Sequence, residues 1–117
     1  MPEDFGRKDI IRRGDVRMKL GILVNADKNL IHIVGITKAA IGKGHEVIIF
    51  SMDEGVRLLG EPAFRDLCNV KGVSMSFCDH STHMFNVSKE GVSDEIICGS
   101  QFNNAAMNHD ADRVIVL

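Results

Sequence analysis

Residues 20–50, LGILVNADKNLIHIVGITKAAIGKGHEVIIF, predict a strand, a helix and a second strand in succession. The two ends, LGILV and EVIIF, are short runs of aliphatic and β-branched residues, as expected of buried strands. Between them apolar residues recur at helical spacing, and Gly42 and Gly44 provide a stop for that helix. The pattern is typical of a parallel sheet, because parallel neighbours need a crossover connection.

The same alternation continues toward the carboxyl end of the chain. The runs VSMSF, EIIC and RVIVL predict three further strands, and we expect the last of them to be buried. After EVIIF, Asp53 can cap a helix, and Gly60 with Pro62 divides that connection into two pieces. We therefore predict an α/β fold with a mainly parallel sheet of about five strands.

The predicted last helix begins after a cysteine and a glycine. Ser100 follows them and has the side chain of a good N-cap residue. One face of this helix carries the residues that we expect to pack on the sheet: Phe102, Ala105, Ala106 and His109.

Composition and charge predict one domain behind a polar tail. Residues 1–17 carry both signs of charge and form the predicted tail, and residues 18–117 form a single α/β domain. With 14 basic and 16 acidic residues and no basic stripe, a nucleic-acid partner is not expected. The sequence shows neither a secretory signal nor an apolar run long enough to cross a bilayer, so we expect a cytoplasmic protein without membrane contact.

Cys78 is the candidate nucleophile. It directly follows the strand VSMSF, and Asp79 or Ser81 can cap a helix behind it, so its sulfur would lie beside unpaired backbone amides. Such amides favour the thiolate. His80 and His83 are three positions apart on this helix and could supply charge or move protons.

Other interpretations of these residues remain open. Free cysteines often serve packing alone, which is the alternative for Cys78 and the role that we assign to Cys98 and to Cys68, which lies beside Leu67 on a predicted helical turn. Cys78, His80 and His83 could also bind zinc, but their spacing lacks the paired short intervals of known zinc motifs, so no metal site is predicted.

The loop after the first strand, NADKN, contains no glycine that could cradle a phosphate. Phosphate-binding and dinucleotide-binding motifs are absent from the sequence as well, so no cofactor is expected. Ligands of open α/β sheets bind at the carboxyl ends of the strands. We therefore expect four polar residues near those ends to border a substrate cleft, although helix capping also explains some of them: Asn25, Asp27, Ser81 and Ser100.

Five segments together resemble the DsrE/DsrF-like family of sulfur-relay proteins. They are KLGILV, GKGHEVIIF, FSMDEGVRLL, FCDHS and CGSQFNNAAMNHDADRVIVL, and their order and spacing agree with the family over residues 18–117. The resemblance implies a three-layer α/β/α sandwich of the DsrEFH or flavodoxin type, assembled as a homotrimer or homohexamer. It also implies that Cys78 matches the cysteine that carries sulfane sulfur as a persulfide.

Two functional hypotheses follow from this resemblance. In the first, the chain is a persulfide sulfurtransferase in which Cys78 accepts sulfur from a donor protein and passes it to an acceptor thiol. His80 or His83 would assist the transfer, and Cys78 should be partly exposed while Cys68 is more buried. In the second, the chain is a non-catalytic oligomeric module that binds a metal or small ligand in the same cleft.

Overall fold

The computed structural model describes residues 16–117, so the predicted tail lies outside the described residues except for Val16 and Arg17. Its centre is one sheet of five strands in the order β4-β3-β2-β1-β5, and every neighbouring pair is parallel. The strands are β1 Lys19–Val24, β2 Glu46–Ser51, β3 Val73–Cys78, β4 Ile96–Gly99 and β5 Arg113–Val116. The predicted α/β class and parallel sheet are confirmed.

Helices cover both faces of this sheet. They are α1 Leu30–Gly42, α2 Pro62–Arg65, α3 Asp79–Met84 and α4 Gln101–Asp110, with 3-10 helices at Asp53–Gly60 and Asp66–Asn69. From β1 to β4 the strands advance in one direction, so right-handed crossovers place the first three connections on one face. The connection from β4 to β5 returns across the sheet, which places α4 on the opposite face. The fold is therefore a flavodoxin-like three-layer sandwich, as the resemblance implied.

The core has a large and a small part, one on each face of the sheet. Alternating strand residues such as Ile22, Ile49 and Phe77 belong to the large cluster, which lies under α1 and the connection after β2. The small cluster lies under α4 and consists of Phe50, Cys78 and Met107. Cys78 therefore belongs to the thinly covered face.

The connection after β2 is divided as predicted. Its first piece begins at Asp53 and is a 3-10 helix, and α2 begins at Pro62, which suits a first helical position because it needs no N–H donor there. Val56 and Phe64 from the two pieces are completely buried. The connection thereby covers the large cluster without one continuous helix.

Two predictions about the last third of the chain were wrong. β5 is an edge strand, and its residue Val116 is 58% exposed, so RVIVL is not a buried strand. On α4 the predicted apolar face is not the packed one, since Phe102 is 77% exposed and Met107 is 2% exposed. The reason lies in β1, where Gly21 leaves room for Met107.

Gly21 should tolerate no larger side chain. A Cβ atom there would lie 3.1 Å from Met107 Cγ and 3.2 Å from Ala111 Cβ. We expect Gly21→Val to lower the free energy of unfolding by about 2 kcal/mol, because overpacking forces α4 away from the sheet. Urea unfolding measures this change.

The matched control for Gly21 is Gly35, an exposed position inside α1. No atom lies within 4 Å of a Cβ added at Gly35, and alanine is a better helix former than glycine. Gly35→Ala should therefore raise the free energy of unfolding by about 1 kcal/mol. A Gly21→Val variant as stable as the wild type would contradict the packing described for α4.

Within residues 16–117, no helix combines the length and apolar character needed to cross a membrane.

Candidate functional site

The candidate site lies at the carboxyl edge of the sheet, where β3 ends and α3 begins. Cys78 is the last residue of β3 and the N-cap of α3, so it lies where the first backbone amides of α3 have no helical partner, although its side chain makes no capping hydrogen bond with them. In the register of the sheet, Cys78 is opposite Gly99, the last residue of β4. The start of α4 is thus brought beside the same sulfur.

Four donor groups near Cys78 favour its thiolate. They are the Ser81 hydroxyl, the backbone N–H groups of Ser81 and His80, and the side-chain amide of Gln101. Burial by itself would raise the pKa of the Cys78 thiol, but these groups outweigh it and lower the pKa below the ordinary value. The site therefore favours a thiolate, as a nucleophilic cysteine requires.

Ser81 connects the sulfur to the end of β2. Its side chain is 3% exposed, and its Oγ accepts a hydrogen bond of 2.9 Å from the backbone N–H of Asp53. Because Asp53 supplies the hydrogen bond that Oγ accepts, the Ser81 hydroxyl proton is free to be donated to Cys78. Ser81 was predicted as a substrate-binding or capping residue, and in the structure its hydroxyl holds the Asp53 N–H and favours the Cys78 thiolate.

The expected exposure of the cysteines was wrong. Cys78 is 4% exposed and Cys68 is 8% exposed, so Cys78 is not the more accessible of the two. The reason is α4, whose Met107 packs with Cys78 in the small cluster. Cys98 is the exposed cysteine.

The two histidines do not approach the sulfur through their rings. In the described residues 16–117, the group of His80 that lowers the pKa of Cys78 is its backbone N–H and not its imidazole ring. The His83 Nε2 atom lies 3.4 Å from Asp79 Oδ2, and the His83 side chain is 73% exposed. The predicted effect of an imidazole on Cys78 therefore lacks a direct contact in this structure.

Asp79 is the centre of a second polar group at this edge. Lys89 Nζ donates to Asp79 Oδ1 at 2.6 Å, and Thr82 Oγ1 donates to the same oxygen at 3.2 Å. The hydrogen bond from Lys89 is the main reason that the pKa of Asp79 falls to about 2. Burial, together with the carboxylate of Asp79, raises the pKa of the Cys98 thiol.

The remaining predicted site residues have mostly structural contacts. Asn25 is exposed after β1, and Asp27 lies in an ion pair of 3.3 Å with Arg57. Ser100 is the N-cap of α4 as predicted: its Oγ accepts from the Phe102 N–H at 3.2 Å, and Asn103 completes a capping box. Ser100 thereby fixes the start of α4, which holds Gln101 beside Cys78.

Sequence reasoning missed Gln101 and the role of Asp79. A signal for Gln101 existed, because the residue after a predicted N-cap at the same edge of the sheet belongs to the first turn beside Cys78. For Asp79 no local signal pointed to Lys89 or Cys98, since their positions depend on the course of the loop before β4.

Within residues 16–117, no three His, Cys, Asp or Glu side chains form a group that could hold a metal ion.

No family model matches the chain, and no curated protein matches it in sequence. Among solved structures it is similar to the YchN protein from E. coli, with a TM-score of 0.64 and 13% sequence identity. The match covers 87% of this chain and 100% of that chain. YchN has a DsrE-like fold, and at this identity the similarity shows the fold alone. It agrees with the fold that the sequence resemblance implied.

Proposed function

We propose that this chain is a sulfur-relay protein that carries sulfane sulfur as a persulfide on Cys78. The observation that carries the proposal is the place of Cys78 at the end of β3 and at the N-cap of α3, where groups of His80, Ser81 and Gln101 favour its thiolate. Groups that stabilise a thiolate assist both halves of a relay, because the same sulfur is first the nucleophile and then the leaving group. The fold shared with YchN and the resemblance to the DsrE/DsrF-like family support the same conclusion.

The proposed transfer consists of two balanced exchanges. In the first, the Cys78 thiolate attacks the outer sulfur of a donor persulfide, a new S–S bond forms, and the donor sulfur leaves as a thiolate. In the second, an acceptor thiolate attacks the outer sulfur of the Cys78 persulfide, and the Cys78 thiolate is released. Neither step needs an external oxidant or reductant. The donor and acceptor are proteins with reactive thiols, and the proposed location is the cytoplasm, where thiols stay reduced.

Access to Cys78 requires a local movement, because the residue is only 4% exposed. Gln101, at the start of α4, is exposed, and its Nε2 atom donates to Met52 Sδ at 3.7 Å. Rotation of this one side chain costs less than movement of the α3 backbone that follows Cys78. We propose that Gln101 turns aside when a donor binds.

Intact-mass measurement tests the relay directly. After incubation with a small-molecule persulfide, the wild-type chain should gain the mass of one sulfur, and a thiol reductant should remove it. A chain that gains no sulfur from small-molecule or protein persulfides would contradict the proposal.

The burial of Cys78 favours the second candidate function, a non-catalytic oligomeric module that binds a metal or small ligand at the same edge. In that case Cys78 serves packing with Phe50 and Met107. Reactivity separates the two functions: a relay requires one cysteine that alkylates at lower pH than an ordinary thiol, whereas a binding module can have three unreactive cysteines.

We also propose that the chain forms a homotrimer or homohexamer. The resemblance implies this assembly, and the thinly covered face of the sheet supports it, because Ile97, Phe102 and Val116 are each more than half exposed. We expect light scattering to give three or six times the chain mass at micromolar concentration. Phe102→Glu should weaken the assembly if this face is the contact, whereas Ile31→Glu on α1 should leave it unchanged. A wild-type chain that is monomeric at this concentration would contradict the proposal.

A further inference from the structure

On the β4 side, Cys78 is enclosed by groups that α4 holds in place. The register partner of Cys78 is Gly99, and a Cβ atom at Gly99 would collide with the side-chain amide of Asn103. Asn103 Oδ1 accepts a hydrogen bond of 3.0 Å from the Ser100 N–H, as part of the capping box of α4. Movement of Asn103 would break this cap, so we expect this side of Cys78 to stay closed.

On the β2 side, the neighbour of Cys78 is Met52. The register of β2 with β3 runs to the pair of Ser51 and Phe77, and the next residues along the two strands are Met52 and Cys78. Met52 keeps the extended conformation of β2, with φ −146° and ψ 171°, and its N–H donates to the Val24 carbonyl of β1 at 2.9 Å. Its side chain packs against the small cluster that contains Cys78. Met52 is therefore beside Cys78 on the face that α4 covers.

Met52 and Gln101 together form a cover over Cys78 that can open. Gln101 Nε2 donates to Met52 Sδ at 3.7 Å, so this contact joins the start of α4 to the end of β2. A thioether sulfur is a weak acceptor, and both side chains are unbranched and at least partly exposed. Rotation of the two side chains therefore needs no movement of the backbone, whereas displacement of Asn103 would break the cap of α4.

We propose that Met52 is a specificity-determining residue of the relay, because it closes the side of Cys78 by which a donor sulfur enters. This inference rests on the proposed function and names the route to its carrier. The outer sulfur of a cysteine persulfide is the last atom of an unbranched side chain, so it passes between Met52 and Gln101 once they turn aside. A donor with a ring or a branch next to its reactive atom would collide with Met52. The cover thereby selects donors by shape before any bond is exchanged.

Alkylation of Cys78 by two reagents of different size tests the inference without sulfur transfer. Iodoacetamide and iodoacetanilide share their reactive carbon, but the second carries a phenyl ring. Because the Cys78 thiolate attacks both at the same pH, the ratio of the two rates does not depend on the thiolate fraction. In the full wild-type chain, peptide mass spectrometry should show that Cys78 prefers iodoacetamide by a larger factor than the exposed Cys98 does. Met52→Ala should reduce the preference of Cys78 by about fivefold, the factor that loss of a weak contact brings.

Two variants serve as matched controls. Met52→Leu introduces a side chain of similar volume, so it should keep most of the wild-type preference although the sulfur is lost. Leu23→Ala removes an apolar side chain that packs against the same small cluster from β1, and it should leave the preference unchanged. An equal loss of preference in Leu23→Ala and Met52→Ala would indicate a general loosening of the cluster and overturn the inference. An unchanged preference in Met52→Ala would overturn it as well.

The result for Met52 is separable from the result for the relay. If Met52→Ala loses the preference but the wild-type chain gains no sulfur in the intact-mass measurement, the relay is wrong while Met52 still covers Cys78. If the wild-type chain gains sulfur and Met52→Ala keeps the full preference, the relay stands and the role of Met52 is contradicted.

Discussion

Cys78→Ser should abolish sulfur uptake while the fold persists. Serine keeps the approximate size and a hydrogen-bonding group at a position where four donors converge, so the packing against Phe50 and Met107 should change little. It removes the polarisable nucleophile, and no hydroxyl at that position can form a persulfide. In the intact-mass measurement the variant should show none of the added sulfur that the wild type gains.

Cys68→Ser is the matched control for this experiment. Cys68 is also buried, at 8% exposure, and belongs to the large cluster on the other face of the sheet. Its replacement should cost comparable packing but leave sulfur uptake intact. Uptake that survives in Cys78→Ser and is lost in Cys98→Ser would show that Cys98 carries the sulfur. That result would contradict the proposal that Cys78 is the carrier. Circular dichroism of each variant shows whether the fold has been kept.

The fold class was predictable because local sequence patterns indicate most of the strands and helices. The runs LGILV and EVIIF have strand composition over their whole length, and the spacing of apolar residues between them is helical. The order of the strands is a long-range property and had no such signal. RVIVL shows why: its composition matches that of a central strand, but only the topology places it at the edge, where Val116 is exposed.

The packed face of α4 could not be predicted for a similar reason. Phe102 is the most apolar side chain near the start of the helix, and hydrophobicity alone favours its burial. The structure buries Met107 instead, because Gly21 on a distant strand provides the space for it. A glycine in a strand marks close approach by another element, but the sequence does not say which element.

At the site, sequence reasoning correctly placed Cys78 at the end of a strand and at the start of a helix. His80 and His83 were predicted to assist because they are close to Cys78 in sequence. The groups that lower the pKa of Cys78 are instead backbone amides, a serine hydroxyl and the Gln101 amide, and Gln101 belongs to a helix that begins 23 positions later. A histidine can be recognised in the sequence, whereas the direction of a backbone N–H depends on the fold.

Ser81→Ala should raise the pKa of Cys78 and slow its alkylation at neutral pH. The Ser81 hydroxyl is the largest of the contacts that lower this pKa, while burial, which raises it, would remain. A hydrogen bond to a charged group contributes about 1.5 kcal/mol or more, and about 1.4 kcal/mol is a factor of ten in an ionisation equilibrium. Below the pKa, the thiolate fraction and the alkylation rate should therefore fall by up to about tenfold. Well above the pKa, the two proteins should react at the same rate.

Thr82→Val separates this electrostatic effect from a general loss of stability. Thr82 is buried next to Ser81, and its Oγ1 donates to the Asp79 carbonyl oxygen at 2.6 Å without contacting Cys78. Ser81→Ala leaves the Asp53 N–H without its partner and should lower the free energy of unfolding by about 1 to 3 kcal/mol. Thr82→Val removes the hydroxyl bond to the Asp79 carbonyl, an oxygen that also belongs to α3, and should lower it by about 1 kcal/mol. Only Ser81→Ala should shift the alkylation profile of Cys78 to higher pH. Identical profiles in the two variants would mean that the Ser81 hydroxyl does not stabilise the thiolate, and the main support for a nucleophilic Cys78 would be lost.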